Sequence, residues 1–306
     1  MPYFEEAIRR NPTKPAMMCE YAESLGWFGR LADALPWYQR ALALAPSSPA
    51  VENSLGLTLA RNGRLADAVP HFQVALRVQP DFPEAEANLG DTLVALGRPA
   101  EAAEAYQRSL NLAPSFAAHS GLAKILVANS RTLDAAEHFA EAVALRPDSA
   151  EARVDLGLAY VVISRDADAA PEFDEALRLD PLNARAHTQL GLLLIRDGQP
   201  KEALLHFETA VQLQPSDPAA CRNLGRVLSL LGRYSEAVAC DTQAVNLAPS
   251  APAHTDLADA LARSGRYDEA AAHYEAALQL DRNYAPATAH LAELRRAVAA
   301  SARSPR

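Results

Sequence analysis

Lysine is almost missing from this chain. Of 29 basic residues only Lys14, Lys124 and Lys201 are lysines, which leaves 26 arginines (29 − 3). Against 38 acidic residues the net charge is −9, which argues against a general nucleic-acid binder, since phosphate neutralisation needs a basic face, and no nucleic-acid partner is expected. The acidic excess serves solubility instead. Cysteine is equally scarce: Cys19, Cys221 and Cys240 are odd in number, widely spaced and without CxxC spacing, which indicates neither a disulfide framework nor a zinc site. No apolar run approaches the roughly 20 residues of a membrane span. The opening MPYFEEAIRRNP carries charges where a leader would need an apolar core, so no membrane insertion and a cytoplasmic location are expected. Arginine and alanine usage fits a GC-rich bacterial genome. GxGxxG, GxxxxGKS, GxSxG and HExxH are all lacking, so no catalysis, no cofactor and no metal are expected.

What is present is periodic. The stretch 85–114, AEANLGDTLVALGRPAEAAEAYQRSLNLAP, has its apolar residues on one helical face before Gly97 and on another after it, with Pro114 closing the second run. That pattern describes two antiparallel helices. Pro46, Pro80, Pro114, Pro147, Pro181, Pro215 and Pro249 recur at intervals of 34 or 33 residues, so the chain is an array. With each closing proline at position 32, position 7 is Leu in seven repeats (Leu55 to Leu257) and Tyr21 in the first. Position 8 is always Gly or Ala, and position 20 is Ala in all eight repeats, from Ala34 to Ala270. Position 24 is aromatic except at Asp241, and position 27 is Ala except at Ser109. Small residues let two backbones approach, and the Leu and the aromatic fill the space between them.

These places carry a resemblance to the tetratricopeptide repeat (TPR) family, in which two-helix repeats of this length stack into an array. The resemblance implies an all-α solenoid, a right-handed superhelix of antiparallel helix pairs. It places eight repeats at 15–48, 49–82, 83–115, 116–149, 150–183, 184–217, 218–250 and 251–284. Phe4, Ala7 and Pro12 match positions 24, 27 and 32, so residues 1–14 read as a half-repeat whose uncovered face could make a homodimer. Residues 285–300 read as a capping helix and 301–306 as a disordered tail.

In the TPR family a stripe on the first helix of each repeat lines a concave groove that receives partner segments. Carried over by position, the groove is acidic at Glu20 and Glu23. It becomes apolar at Val94, Val127, Val154, Leu158, Val161, Leu192 and Ile195. Its last zone mixes Arg185, Arg196, Arg222 and Arg226 with Asp256 and Asp259, and those arginines could receive a partner's carboxylate. The Lys/Asn set with which some TPR modules clamp acidic tails is absent. The asparagine ladder of the TPR region of O-GlcNAc transferases, which this array is also similar to, is matched only by Asn88 and Asn223.

Several places depart from the repeat. Asp241, in an aromatic position, must reach water or a partner such as Arg222 or Arg226, or be protonated; a solvated, slightly loose repeat is the simplest expectation. His71, His138, His206 and His273 share position 23 while His119, His187 and His254 share position 4, and they read as helix-surface residues. Pro36, Pro70 and Pro171 should kink their helices locally without breaking them. Trp27, Phe28, Trp37 and Tyr38 read as extra packing near the array's start. The function expected is that of a non-enzymatic scaffold binding a peptide or protein segment. The alternative is a substrate-recruiting segment of a larger enzyme such as a glycosyltransferase.

Overall fold

The computed structural model describes residues 6, 8 and 10–303. Phe4 and Ala7 of the half-repeat, and Ser304 to Arg306 of the tail, lie outside the described residues. The described residues form 17 helices and no strand, in two compact units of residues 1–163 and 164–306. In the first unit the pairs are α1 (Pro15–Trp27) with α2 (Leu31–Leu44), α3 (Pro49–Arg61) with α4 (Leu65–Val78), α5 (Pro83–Ala95) with α6 (Pro99–Leu112), and α7 (Phe116–Ala128) with α8 (Thr132–Leu145). Helix α9 (Ala150–Val162) closes that unit. The second unit opens on α10 (Asp166–Leu179) and continues with α11 (Ala184–Arg196) and α12 (Pro200–Leu213), α13 (Pro218–Leu230) and α14 (Tyr234–Leu247), α15 (Ala251–Arg263) and α16 (Tyr267–Leu280), and finally α17 (Ala285–Arg303). The last helix runs three residues past the Ala300 end read from the sequence.

Each pair is turned by one left-handed residue. Gly97, with φ at 72°, lets the Arg98 amide donate back to the Leu93 carbonyl at 2.9 Å, which closes the helix end. Ser130 and Ser164 hold the same conformation without glycine's freedom, at φ 60° and 59°. The next helix then starts on an arginine, and Arg30, Arg64, Arg98, Arg131, Arg165, Arg233 and Arg266 each pair with the acid three residues on. The acids sit where the helix macrodipole favours them, and the exposed pairs add little stability each. Seven of the 26 arginines therefore serve helix starts.

Packing follows the small positions. Every position-20 alanine is fully buried. Ser109 substitutes for the position-27 alanine and stays satisfied by donating to the Pro83 carbonyl at 2.9 Å. Where position 8 is glycine the aromatic of the same repeat fills the space, and a Cβ on Gly90 would stand 2.5 Å from the Tyr106 ring; Ala22, Ala123 and Ala258 show that other repeats admit one methyl there. Prolines 36, 70 and 171 lie inside unbroken helices on exposed positions. The carbonyls they leave unpaired belong to Ala32, Ala66 and Ala167, all exposed, so water can take the lost bond.

The core of the first unit is one continuous cluster from Ile8 to Ala159. Ile8, only 4% exposed, brings the described part of the half-repeat into it. In the second unit the core separates into two clusters, one centred on Phe207 and the other on Tyr274. Asp241 lies in sequence between Ala237 of one and Val245 of the other, at the position that is aromatic in the other repeats.

Candidate partner-binding surfaces

In the first unit the first helices of repeats three, four and five place Val94, Val127 and Val161 at position 12. Val94 and Val127 are 44% and 41% exposed, and Val161 and Leu158 are half-buried. Val154 corrects the sequence expectation: it is fully buried, because position 5 in that repeat turns into the core. Asn88 is also committed internally, its amide donating to the Asn53 Oδ1 at 3.0 Å. Lys124 reaches Asp155 at 3.2 Å in the same way, so polar residues of the stripe tie one repeat to the next.

The second unit uses its arginines likewise. Arg222 donates to the Asp256 Oδ2 at 2.8 Å, repeating the register in which Asn53 meets Asn88. Arg196 pairs with Asp166 at 2.9 Å. These two are already neutralised by the chain's own carboxylates, which weakens the reading that they await a partner's. Arg185 and Arg226 are exposed and Asn223 is half-buried. Leu192 and Ile195 are half-buried against the Phe207 cluster, so less of them faces outward than the sequence suggests.

Asp241 is not solvated. It is 1% exposed, its Oδ1 has no hydrogen-bond partner, and Arg222, one of its expected partners, is bound to Asp256. Burial first, and then the nearby Asp256 charge, push its carboxyl up to about 8, only partly offset by Arg222 and Arg226. A cavity of about 850 Å³ stands beside it, lined by residues of α13 to α17. Where the aromatic cluster was read as packing, Tyr38 and Trp37 do pack. Trp27 and Phe28 instead remain 70% and 74% exposed, with the Arg61 guanidinium 4.4 Å over the Trp27 ring.

The histidines are pairs. His119 meets His138, His187 meets His206 and His254 meets His273, with Nδ1 to Nδ1 distances of 3.0, 2.9 and 3.0 Å. Position 4 of the first helix thus faces position 23 of the second, a match that no spacing along the sequence announces. His71 meets Glu52 at these places at 2.7 Å, and Cys221 and Cys240 occupy them in repeat seven. No group of three or more metal-ligating side chains occurs among the described residues. Burial foremost holds His119, His206, His254 and His273 below the usual imidazole range; His138 and His187 add to this for the first two and His273 for His254, while Glu141, Asp174 and Glu269 oppose it at His119, His206 and His273. In the unfolded chain these rings protonate first, so their stabilisation is present above about pH 6.5 and falls as pH drops through that value. Lowering the pH from 7 to 5.5 should therefore cost the wild-type chain more in melting temperature, relative to pH 7, than it costs His206→Gln. An equal cost in both would refute the pairing.

Residues 81–294 match the family model described as the cilia and flagella-associated protein 70 C-terminal domain, and residues 2–49 match the tetratricopeptide repeat model. The chain belongs to the tetratricopeptide repeat family. Solved structures share the TPR fold at low identity. The Cut9–Hcn1 hetero-tetramer of the APC/C is 18% identical over 94% of this chain and 57% of that chain, with a TM-score of 0.60. The Pseudomonas aeruginosa pilF protein is 20% identical over 66% of this chain and 92% of its own, with a TM-score of 0.59. YrrB, whose structure is described as that of a TPR protein with an unusual peptide-binding site, is 20% identical over 63% of this chain and 97% of its own, at a TM-score of 0.54. No match was found among curated proteins. As a TPR chain it is built from modules that generally serve protein interaction, and none of its helices among the described residues is long and apolar enough to cross a membrane.

Proposed function

We propose that this TPR chain is a non-enzymatic scaffold that binds a segment of a protein partner along the first helices of its repeats. The observation that carries the reading is the set of aliphatic side chains at Val94, Val127, Leu158 and Val161, which successive repeats of the first unit leave wholly or partly open to water. Isolated exposed aliphatics need no explanation, but a recurrence at one register across three repeats is what a binding face requires. Other repeats put Arg61, Arg226 or Ser229 on this stripe, and repeat three itself also carries Asp91 there. The peptide-binding description of YrrB supports the same reading by fold. Exposed Arg226 and half-buried Asn223 are the polar contacts offered to a partner in the second unit.

The test is capture of partners from a source lysate by the wild-type chain and by Leu158→Glu, read by mass spectrometry. Leu158 is half-buried and does not join the core cluster, so the variant should keep its helicity and melting temperature. A partner should lose at least about ten-fold in recovery, because a charge buried against an apolar segment costs more than 1.4 kcal/mol. Equal recovery with both proteins overturns the apolar-face reading.

A further inference from the structure

The second unit carries a feature that an apolar binding face does not use. The cavity of about 850 Å³ is lined by Asp241, Asp256, Asp259 and Glu293, and also by Leu230, Ala262 and Leu294. Among the described residues, each of the three aspartates keeps a carboxylate oxygen uncommitted. Asp241 Oδ1 is buried without any partner. Asp256 gives Oδ2 to Arg222, which leaves its Oδ1. Asp259 accepts from both the Tyr274 hydroxyl and the His290 Nδ1 on the same Oδ1, the latter at 2.8 Å, which leaves its Oδ2.

The aspartates of the cavity thus offer more acceptor oxygens than the neighbouring donors occupy. Arg226 and Arg263 also line it, but both are exposed, and neither makes a hydrogen bond to these aspartates. The register explains the excess. Repeats three and eight pair a position-24 tyrosine with a position-9 aspartate, Tyr106 with Asp91 and Tyr274 with Asp259. Repeat seven reverses the types, with Asp241 at position 24 and Arg226 at position 9. The aspartate is too short to span the distance a tyrosine covers. It leaves space where an aromatic would be, and its Oδ1 turns toward Gly225, whose missing side chain makes room for it.

We propose that this cavity is a binding site for a cationic side chain, lysine or arginine, of a partner segment. An ammonium offers three N–H donors and a guanidinium five, which suits a cavity lined by three aspartates from α14 and α15. Leu230, Ala262 and Leu294 suit the aliphatic stem that both side chains carry. Burying the orphan carboxyl of Asp241 without such a donor costs stability, and the guest supplies the charge that would let it ionise. The site lies wholly within the second unit and does not rest on the apolar face of the first.

The experiment is amide NMR of the full chain titrated with the N-acetyl N-methylamides of lysine, arginine, norleucine and glutamic acid. The lysine or arginine probe should move the Gly225, Asp241 and Asp259 signals saturably, whereas norleucine and glutamic acid should not. Asp241→Asn should weaken the cationic probes at least ten-fold while melting no lower than wild type, and Leu158→Glu should leave them unchanged. The order of lysine and arginine identifies the preferred cation. Absence of saturable shifts with either cation, tighter binding of the glutamic acid probe, or unaltered binding by Asp241→Asn would overturn the proposal.

Discussion

Asp241→Phe should raise the melting temperature by about 10 °C at pH 7.5. Two effects add. The aromatic ring fills the space that the other repeats close at this position, a gain of about 2 kcal/mol for a fully buried side chain. The substitution also removes a buried carboxyl whose Oδ1 lacks a partner, a penalty of about 1–3 kcal/mol. At about 2–4 °C per kcal/mol for a unit of this size the sum gives the stated shift. The gain should depend on pH. The folded chain holds the Asp241 proton up to about pH 8. An unfolded chain releases it near 4. The Asp241 contribution to wild-type stability therefore falls as pH rises from about 4 to about 8, and the advantage of Asp241→Phe widens over the same window. Thermal denaturation at pH 5 and pH 7.5 measures both. A lower melting temperature at either pH would mean that the aspartate is a satisfied structural residue.

Phenylalanine is preferred here to tyrosine for a reason the array itself displays. The ring at position 24 points toward position 6 of the following repeat. Tyr38 donates to the Ser54 carbonyl and the Tyr106 ring lies against Gly121, whereas Phe72, Phe139, Phe173 and Phe207 are followed at position 6 of the next repeat by the larger Asn88, Asp155, Gln189 and Asn223; Tyr274 departs from this, standing edge-on to His290. Asp241 is followed in this register by Asp256, whose Oδ2 is already held by Arg222.

The same rule makes Gly121→Asn strongly destabilising, by about 2–3 kcal/mol. A Cβ at Gly121 would stand 2.6 Å from the Tyr106 hydroxyl oxygen, and the ring is held there by its bond to Asp91 at 2.6 Å. Adding Tyr106→Phe releases that bond and recreates the junction of Phe207 with Asn223. The double variant should recover to within about 1 kcal/mol of wild type. Denaturant melts of the two single variants and the double close the cycle. If the two costs simply add, the ring and position 6 are not coupled.

The array, its helix pairs and its small-residue seams were legible because each is a local rule repeated in register: a closing proline, a turn glycine, an alanine at position 20. Repetition turns a weak local signal into a strong one. The proline helices were legible too, since exposed carbonyls at Ala32, Ala66 and Ala167 tolerate the missing donor. Binding residues were less so. Val154 and Asn88 shared the stripe pattern of their neighbours, yet one is core and the other holds Asn53. The histidine pairs and the Cys221–Cys240 placement lie 19 residues apart in each repeat, and only the packing of the two helices joins them.

By itself, then, the sequence determined which segments are helices, where they turn and which faces they bury. Those choices depend on backbone preference and on periodicity along one chain. The tertiary structure alone decided whether a polar side chain on the stripe faces a partner or its own neighbour. A carboxylate's protonation and an arginine's availability depend on distances of a few ångströms between residues about one repeat apart, as with Asp241, Asp256 and Arg222. No pattern along the chain encodes which of several nearby opposite charges closes first.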